Sequence, residues 1–153
     1  MKREPAKRNA QPGAKRVPHR LIQDLASFRY QLRKFLRFSE RAAISQGLTP
    51  QQHQLLLGVA GYNGARRATI SDLAEFLQER HNSVVELVGR AVRKGLIRKD
   101  HDPNDRRYVY VSLTPRGEVT LAKLAELHRD EIVRLRAGLF AGGSIKNKLQ
   151  RRA

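Results

Sequence analysis

The 153 residues contain no cysteine and no tryptophan, and acids are scarce: 14 Asp and Glu stand against 31 Lys and Arg. Without cysteine there is no disulfide framework, no thiolate zinc site and no thiol redox switch. No apolar run approaches the roughly 20 residues that a membrane-spanning helix needs. The basic start Met1-Lys2-Arg3 has no apolar stretch behind it, so no signal peptide is expected. Together these absences predict a cytoplasmic chain. The shortage of acid leaves a formal charge of +17 and a sequence pI near 11.3, which demands a polyanionic partner. An acidic membrane surface would want a basic amphipathic helix anchored by Trp or Phe. With Trp missing, nucleic acid is the partner that the composition favours, and no membrane is expected.

The length suits one domain with one core. Residues 1–18 read as a disordered basic arm: Lys2, Arg3, Lys7, Arg8, Lys15 and Arg16 lie among Pro5, Pro12, Gly13 and Pro18. An arm touching DNA backbone and a merely solubilising tail are both open readings of it. Leu21, Leu25, Phe28, Leu32, Phe35 and Leu36 recur at helical spacing and predict a long amphipathic helix over 19–46. Its opposite face carries Arg29, Arg33, Arg37 and Arg41, read as a solvated ridge. The apolar stripe exceeds what one small winged unit can cover, so part of it is expected to meet a second protomer.

Residues 48–114 carry the densest signals. Thr49-Pro50-Gln51-Gln52 is a helix start with a capping box, and the helix continues to Gly61. Tyr62-Asn63-Gly64-Ala65 reads as a turn. Thr69, with Asp72 three residues on, caps a short helix whose core face is Leu73, Ala74 and Leu77. After the turn Gln78-Glu79-Arg80, a second helix runs from about His81 to Lys94 and ends at Gly95, a left-handed cap. Val84, Leu87, Val88, Ala91 and Val92 are expected inward, and His81, Asn82, Ser83, Glu86 and Arg90 outward. Leu96–Lys99 and Tyr108–Leu113 predict a two-stranded hairpin around the turn Asp102-Pro103-Asn104-Asp105. Helix–turn–helix followed by a hairpin is a winged helix, a shape that places one helix in the DNA major groove with a β-ribbon beside it.

A last long helix is predicted over 115–140, carried by Val119, Leu121, Ala122, Leu124, Ala125, Leu127, Ile132, Val133 and Leu135 as its apolar residues. Residues 141–153 form a basic tail after Gly142-Gly143. The fold class is therefore mainly α with a small β-hairpin wing, flanked by long helices at both ends. The five histidines (His19, His53, His81, His101, His128) show no metal-binding spacing and default to surface or core positions. No phosphate-cradling glycine loop and no catalytic constellation is present, so an enzyme is not expected and no cofactor is implied.

The run of motifs resembles the MarR family of winged-helix regulators. The matching stretches are Leu48-Thr49-Pro50-Gln51-Gln52, Ile70-Ser71-Asp72-Leu73-Ala74, Leu87-Val88-Gly89-Arg90 through Ile97, and Asp102 to Arg107. Val111-Ser112-Leu113-Thr114-Pro115-Arg116-Gly117 completes them, and Asp105-x-Arg107-x-x-x-Val111 matches the family's wing signature. The likeness spans about Leu21 to Phe140. It implies a homodimer joined through the helices at 19–46 and 115–140, reading two half-sites of a pseudo-palindromic operator as a transcriptional regulator, repression being the expected sense. It also implies Arg107 in the minor groove, oriented by Asp105, with Arg106 beside it. Relatives of this kind respond to small aromatic or phenolic effectors, for which Tyr30, Arg33, Phe35, Arg37 and Phe38 are candidate lining residues or plain core. The missing cysteine argues against the peroxide-sensing branch and the missing tryptophan against the urate-responding one.

Two departures stand out. Arg80 occupies the place of a small hydroxyl residue before the recognition helix, which weakens the cap and adds a cation for phosphate. The family's further apolar helix is replaced after Ala141 by glycines and basic residues, leaving dimerisation to the two long helices. For base reading the candidates are His81, Asn82, Ser83, Glu86 and Arg90. Asn suits adenine, Arg suits guanine, Ser suits either and Glu accepts from cytosine. Glu86 is equally placed for an i,i+4 pair with Arg90. The alternative function is a nucleoid or architectural protein that coats DNA without sequence preference; an RNA-binding winged helix and a small hydrolase rank below it.

Overall fold

The structure is a computed structural model that describes residues 17–62, 67–105 and 108–140. The helices are α1 (His19–Ser45), α2 (Pro50–Gly61), α3 (Ile70–Leu77), α4 (His81–Arg93) and α5 (Pro115–Phe140). The strands are β1 (Ala68–Thr69), β2 (Ile97–His101) and β3 (Val109–Leu113). The arm except Val17 and Pro18, the turn at 63–66, Arg106 with Arg107, and the tail from Ala141 lie outside the described residues.

Local chemistry sets most boundaries. At the start of α2 the Thr49 hydroxyl accepts from the Gln52 amide at 3.1 Å, while Gln52 Oε1 accepts from the Thr49 amide at 3.1 Å. Thr69 and Asp72 repeat this reciprocal arrangement at the start of α3. Each satisfies amide groups that the first helical turn leaves without carbonyl partners. Gly95, at φ +67°, follows the end of α4, its amide on the Val92 carbonyl and that of Leu96 on the Ala91 carbonyl. Gln78 takes the same left-handed conformation after α3 at φ 54°, a position where glycine is usual. Arg80 supplies no side-chain cap to α4, in line with the departure noted from the sequence.

The wing differs from the two-stranded hairpin expected. A third strand, β1, pairs antiparallel with β3, Ala68 opposite Val111 and Thr69 opposite Tyr110, giving the order β1-β3-β2. A strand of two residues is too short to show alternation, so no sequence pattern announces it. Its effect is mechanical: the residue that caps α3 is itself bonded to the root of the wing.

One core serves the winged unit. Leu55 and Leu56 of α2, Leu73 of α3, Val84 and Val88 of α4, Ile97 of β2 and Val111 of β3 are fully buried together. Val92, expected inward, is exposed, because it lies at the edge of the stripe formed by Val84, Leu87, Val88 and Ala91. Lys94 fastens the unit to its surroundings: its Nζ donates to the Gly47 carbonyl at 3.0 Å and to Gln52 Oε1 at 3.1 Å.

The long helices α1 and α5 pack on one another, and α5 enters this pairing from the wing. Thr114 accepts from the Gly117 amide at 3.1 Å and donates to the Gly95 carbonyl at 2.6 Å. A Cβ at Gly117 would collide with the Leu96 carbonyl oxygen, so α5 starts as close to the winged unit as a backbone can come. Further along, α5 meets α1 and α2 at a buried cluster. His128 stacks edge-on with Phe35 and Phe38 and lies 5.0 Å, centroid to centroid, from His53. Its Nδ1 donates to the Leu124 carbonyl at 2.7 Å, which leaves Nε2 as a buried acceptor without a partner among the described residues. Burial, reinforced by the neighbouring His128, lowers the His53 pKa from its ordinary value of 6.5 to about 4. Both rings are core histidines.

Much of the apolar face predicted for α5 stays uncovered within one chain. Leu124 is buried, whereas Val119, Leu127, Ile132 and Val133 are exposed. On α1, Leu21, Leu25, Phe28 and Leu36 are exposed as well.

Candidate nucleic-acid interface

Helix α4 presents the face predicted for it. His81, Asn82, Ser83, Glu86 and Arg90 are all exposed, while the Val84, Leu87, Val88 and Ala91 side chains anchor the helix below. This division follows from the 3.6-residue period: side chains three and four apart share a side. Arg80 is exposed at the cap position. Glu86 and Arg90 approach to 3.7 Å, the pairing anticipated as an alternative to base contact. Both partners are exposed and such pairs are weak, so Arg90 can leave it for a base or phosphate and Glu86 for a base donor. Val85, missed as a surface residue in the sequence reading, is also exposed and stands between His81 and Glu86 on the open side.

The wing closes through a tight turn. The Asp102 carboxylate accepts from the amides of Asn104 at 2.7 Å and Asp105 at 3.2 Å. The Asn104 amide in particular holds its pKa below the ordinary value. Asp102 and Tyr108 also join backbone to backbone at 3.0 Å. Asp105 is half-buried at the end of this turn. Arg106 and Arg107 fall outside the described residues, so their sequence-derived role carries over unaltered as a proposal.

The two faces of the wing differ in charge. On one, Asp100 lies 3.5 Å from both Arg67 and Arg98, and Arg67 covers the Tyr110 ring at 5.1 Å. On the other, Lys99 and His101 alternate out of β2 and face the starts of α3 and α4. The residues of that second face were not singled out from the sequence, since neither strand alternation nor charge indicated what would stand opposite them.

The candidate effector residues lie on or beside α1 in different settings. Phe35 and Phe38 are turned onto His128, Tyr30 lies under the Lys34 ammonium at 5.9 Å, and Arg33 and Arg37 are exposed. Among the described residues, no group of three or more His, Asp or Glu side chains could hold a metal ion, and no helix is long and apolar enough to cross a membrane.

Comparison with known proteins agrees with this geometry. Residues 48–117 match a winged helix DNA-binding domain family. A transcriptional regulatory protein for the hcr operon of Thauera aromatica is 31% identical over 98 residues, 64% of this chain and 57% of that protein. The transcriptional repressor MdtR of Bacillus subtilis is 30% identical over 74 residues, 48% of this chain and 46% of that protein. The chain thus spans about half the length of the curated relatives it matches. Among solved structures, the MarR family transcription regulator SP03579 superposes with a TM-score of 0.63 at 28% identity, covering 88% of this chain and 83% of that one. In its mainly helical, winged fold and in residues 48–117, the chain is thus similar to winged helix DNA-binding domains and to transcription regulators of the MarR family.

Proposed function

We propose that this protein binds double-stranded DNA sequence-specifically as a homodimer and regulates transcription, most simply as a repressor, in the cytoplasm. The observation that carries the reading is the exposed polar side of α4, standing beside the wing on a rigidly packed core. In this reading Asn82, Ser83, Glu86 and Arg90 meet base edges, His81 and Arg80 meet the backbone or a base, and Val85 offers an apolar contact to a thymine methyl. Arg107 enters the minor groove with Asp105 limiting its rotamers, and Arg106 meets phosphate. The basic segments 1–18 and 141–153 add backbone attraction. The exposed apolar residues of α1 and α5 join two copies, so that two α4 helices stand about 34 Å apart, one turn of duplex.

A small aromatic effector fits the same scheme. By favouring a dimer whose recognition helices are wrongly spaced, it lowers affinity at both half-sites together. Titration of salicylate-like anions against a bound duplex checks this: unchanged DNA affinity at saturating anion removes the effector from the proposal.

The deciding experiment is competition at physiological salt between an inverted repeat selected from upstream DNA and a scrambled duplex. A regulator prefers its own site by at least ~10³-fold. The charge of +17 favours a second reading, an architectural protein coating DNA, for which the two duplexes compete equally.

A further inference from the structure

A groove of about 550 Å³ opens where three elements converge beside α4. Ser71 lines it from the start of α3, His81 and Val85 from the first turns of α4, and Lys99, His101 and Tyr108 from the wing. The β1–β3 pairing creates it, by drawing the capped start of α3 against the wing root. We infer that this groove seats a backbone phosphate of the bound duplex, with Lys99 as the principal cation; the inference rests on the DNA-binding reading above.

The charge pattern selects an anion here. None of the side chains that line the groove is acidic. Asp100, the nearest acid along β2, projects from the opposite face, where Arg67 and Arg98 hold it. The Asp72 carboxylate, one residue past Ser71, is engaged by the Thr69 amide at 2.8 Å and the Thr69 hydroxyl at 2.7 Å. Lys99 itself is exposed and pairs with no acid among the described residues. The groove on the other side of α4, against α2, is lined by Glu79 and Glu86 and suits an anion poorly. Ser71 and Tyr108 carry neutral hydroxyl donors, and the His81 ring carries a further N–H donor. A compact ammonium among such donors matches a tetrahedral phosphate, which carries no sequence information but fixes the register of α4 on the duplex.

The test is fluorescence anisotropy of the full chain on two labelled duplexes, the preferred inverted repeat and its scrambled version, over a range of salt. Lys99→Ala should weaken binding to both duplexes by the same factor, about tenfold, and flatten the salt slope by about one unit. Ser71→Ala should weaken both duplexes equally with the slope unchanged, while Lys99→Arg keeps the slope. Arg98→Ala removes the same charge from the opposite face and should keep the wild-type slope. Thermal unfolding confirms that each variant folds. A wild-type slope for Lys99→Ala overturns the inference, as does an equal loss from Arg98→Ala. Should wild-type protein not distinguish the two duplexes, sequence-specific regulation fails, and the slopes still report on the phosphate site.

Discussion

The winged unit and the long helix pair use apolar residues in opposite ways. In the winged unit Leu55, Leu56, Leu73, Val84, Val88, Ile97 and Val111 are less than 2% exposed, each covered by neighbours from the same chain. Along α1 and α5, Leu25 is 60% exposed and Val133 is 63% exposed, although both sit on clear helical stripes. Full burial of such a side chain contributes about 1.5–3 kcal/mol, so several left bare represent a large unrealised gain. The first region covers its apolar residues within one chain; the second leaves bare the residues that the proposed dimer would cover.

This contrast can be broken by substitution. The largest effect is expected from Leu56→Ala, which opens a cavity in the closed core and should cost about 2–5 kcal/mol in denaturant unfolding. Leu25→Ala, by contrast, should leave that transition nearly unmoved at concentrations where the protein is monomeric. Equal losses from the two would erase the distinction.

Acid should act next in size, and on the joint between the regions. His53 folds with its pKa lowered from 6.5 to about 4, so the unfolded chain binds more protons between those values. The stability this neutral ring contributes is intact above pH 6.5 and is lost as pH falls toward 4, by about 3 kcal/mol in all. A His53→Gln variant should show a flatter stability profile across that window. An unchanged profile would place the acid sensitivity elsewhere.

Phe28→Glu sets a charge on the bare stripe of α1. Sedimentation should show dissociation to monomers with circular dichroism retained, and affinity for an inverted repeat should drop because half-sites no longer bind together. A variant that remains dimeric moves the interface off this stripe. The smallest effect is expected from Arg107→Ala: weaker binding to every duplex and a salt slope lower by about one unit. Identical salt dependence would take the wing tip out of the mechanism.

The legibility of the chain followed the range of the interactions. Thr49 with Gln52, Thr69 with Asp72 and Gly95 act within a few residues of themselves, and each boundary they mark appears in the fold. The outward side of α4 was equally readable, since its anchors recur at one period. Interactions between distant segments left no such trace. The tilted ring contact of His53 with His128, the Lys94 bonds to Gly47 and Gln52, and the strand at Ala68–Thr69 depend on elements meeting in space. Periodicity identified an apolar face on α5, but Val119, Ile132 and Val133 show that a stripe does not say whose surface covers it. Ser71, Lys99 and His101 form a groove only because three elements converge, a fact absent from any local run.

Helix α5 extends the contact at Gly117 into something larger. Over 26 residues it reaches about 39 Å, at 1.5 Å per residue, with Gly117 against the Leu96 carbonyl near its start and Gly138 against Gln31 near its far end. A tilt pivoted at Gly117 would turn that length into a lever arm. A tilt of about 3° there would swing the distant tip by about 2 Å.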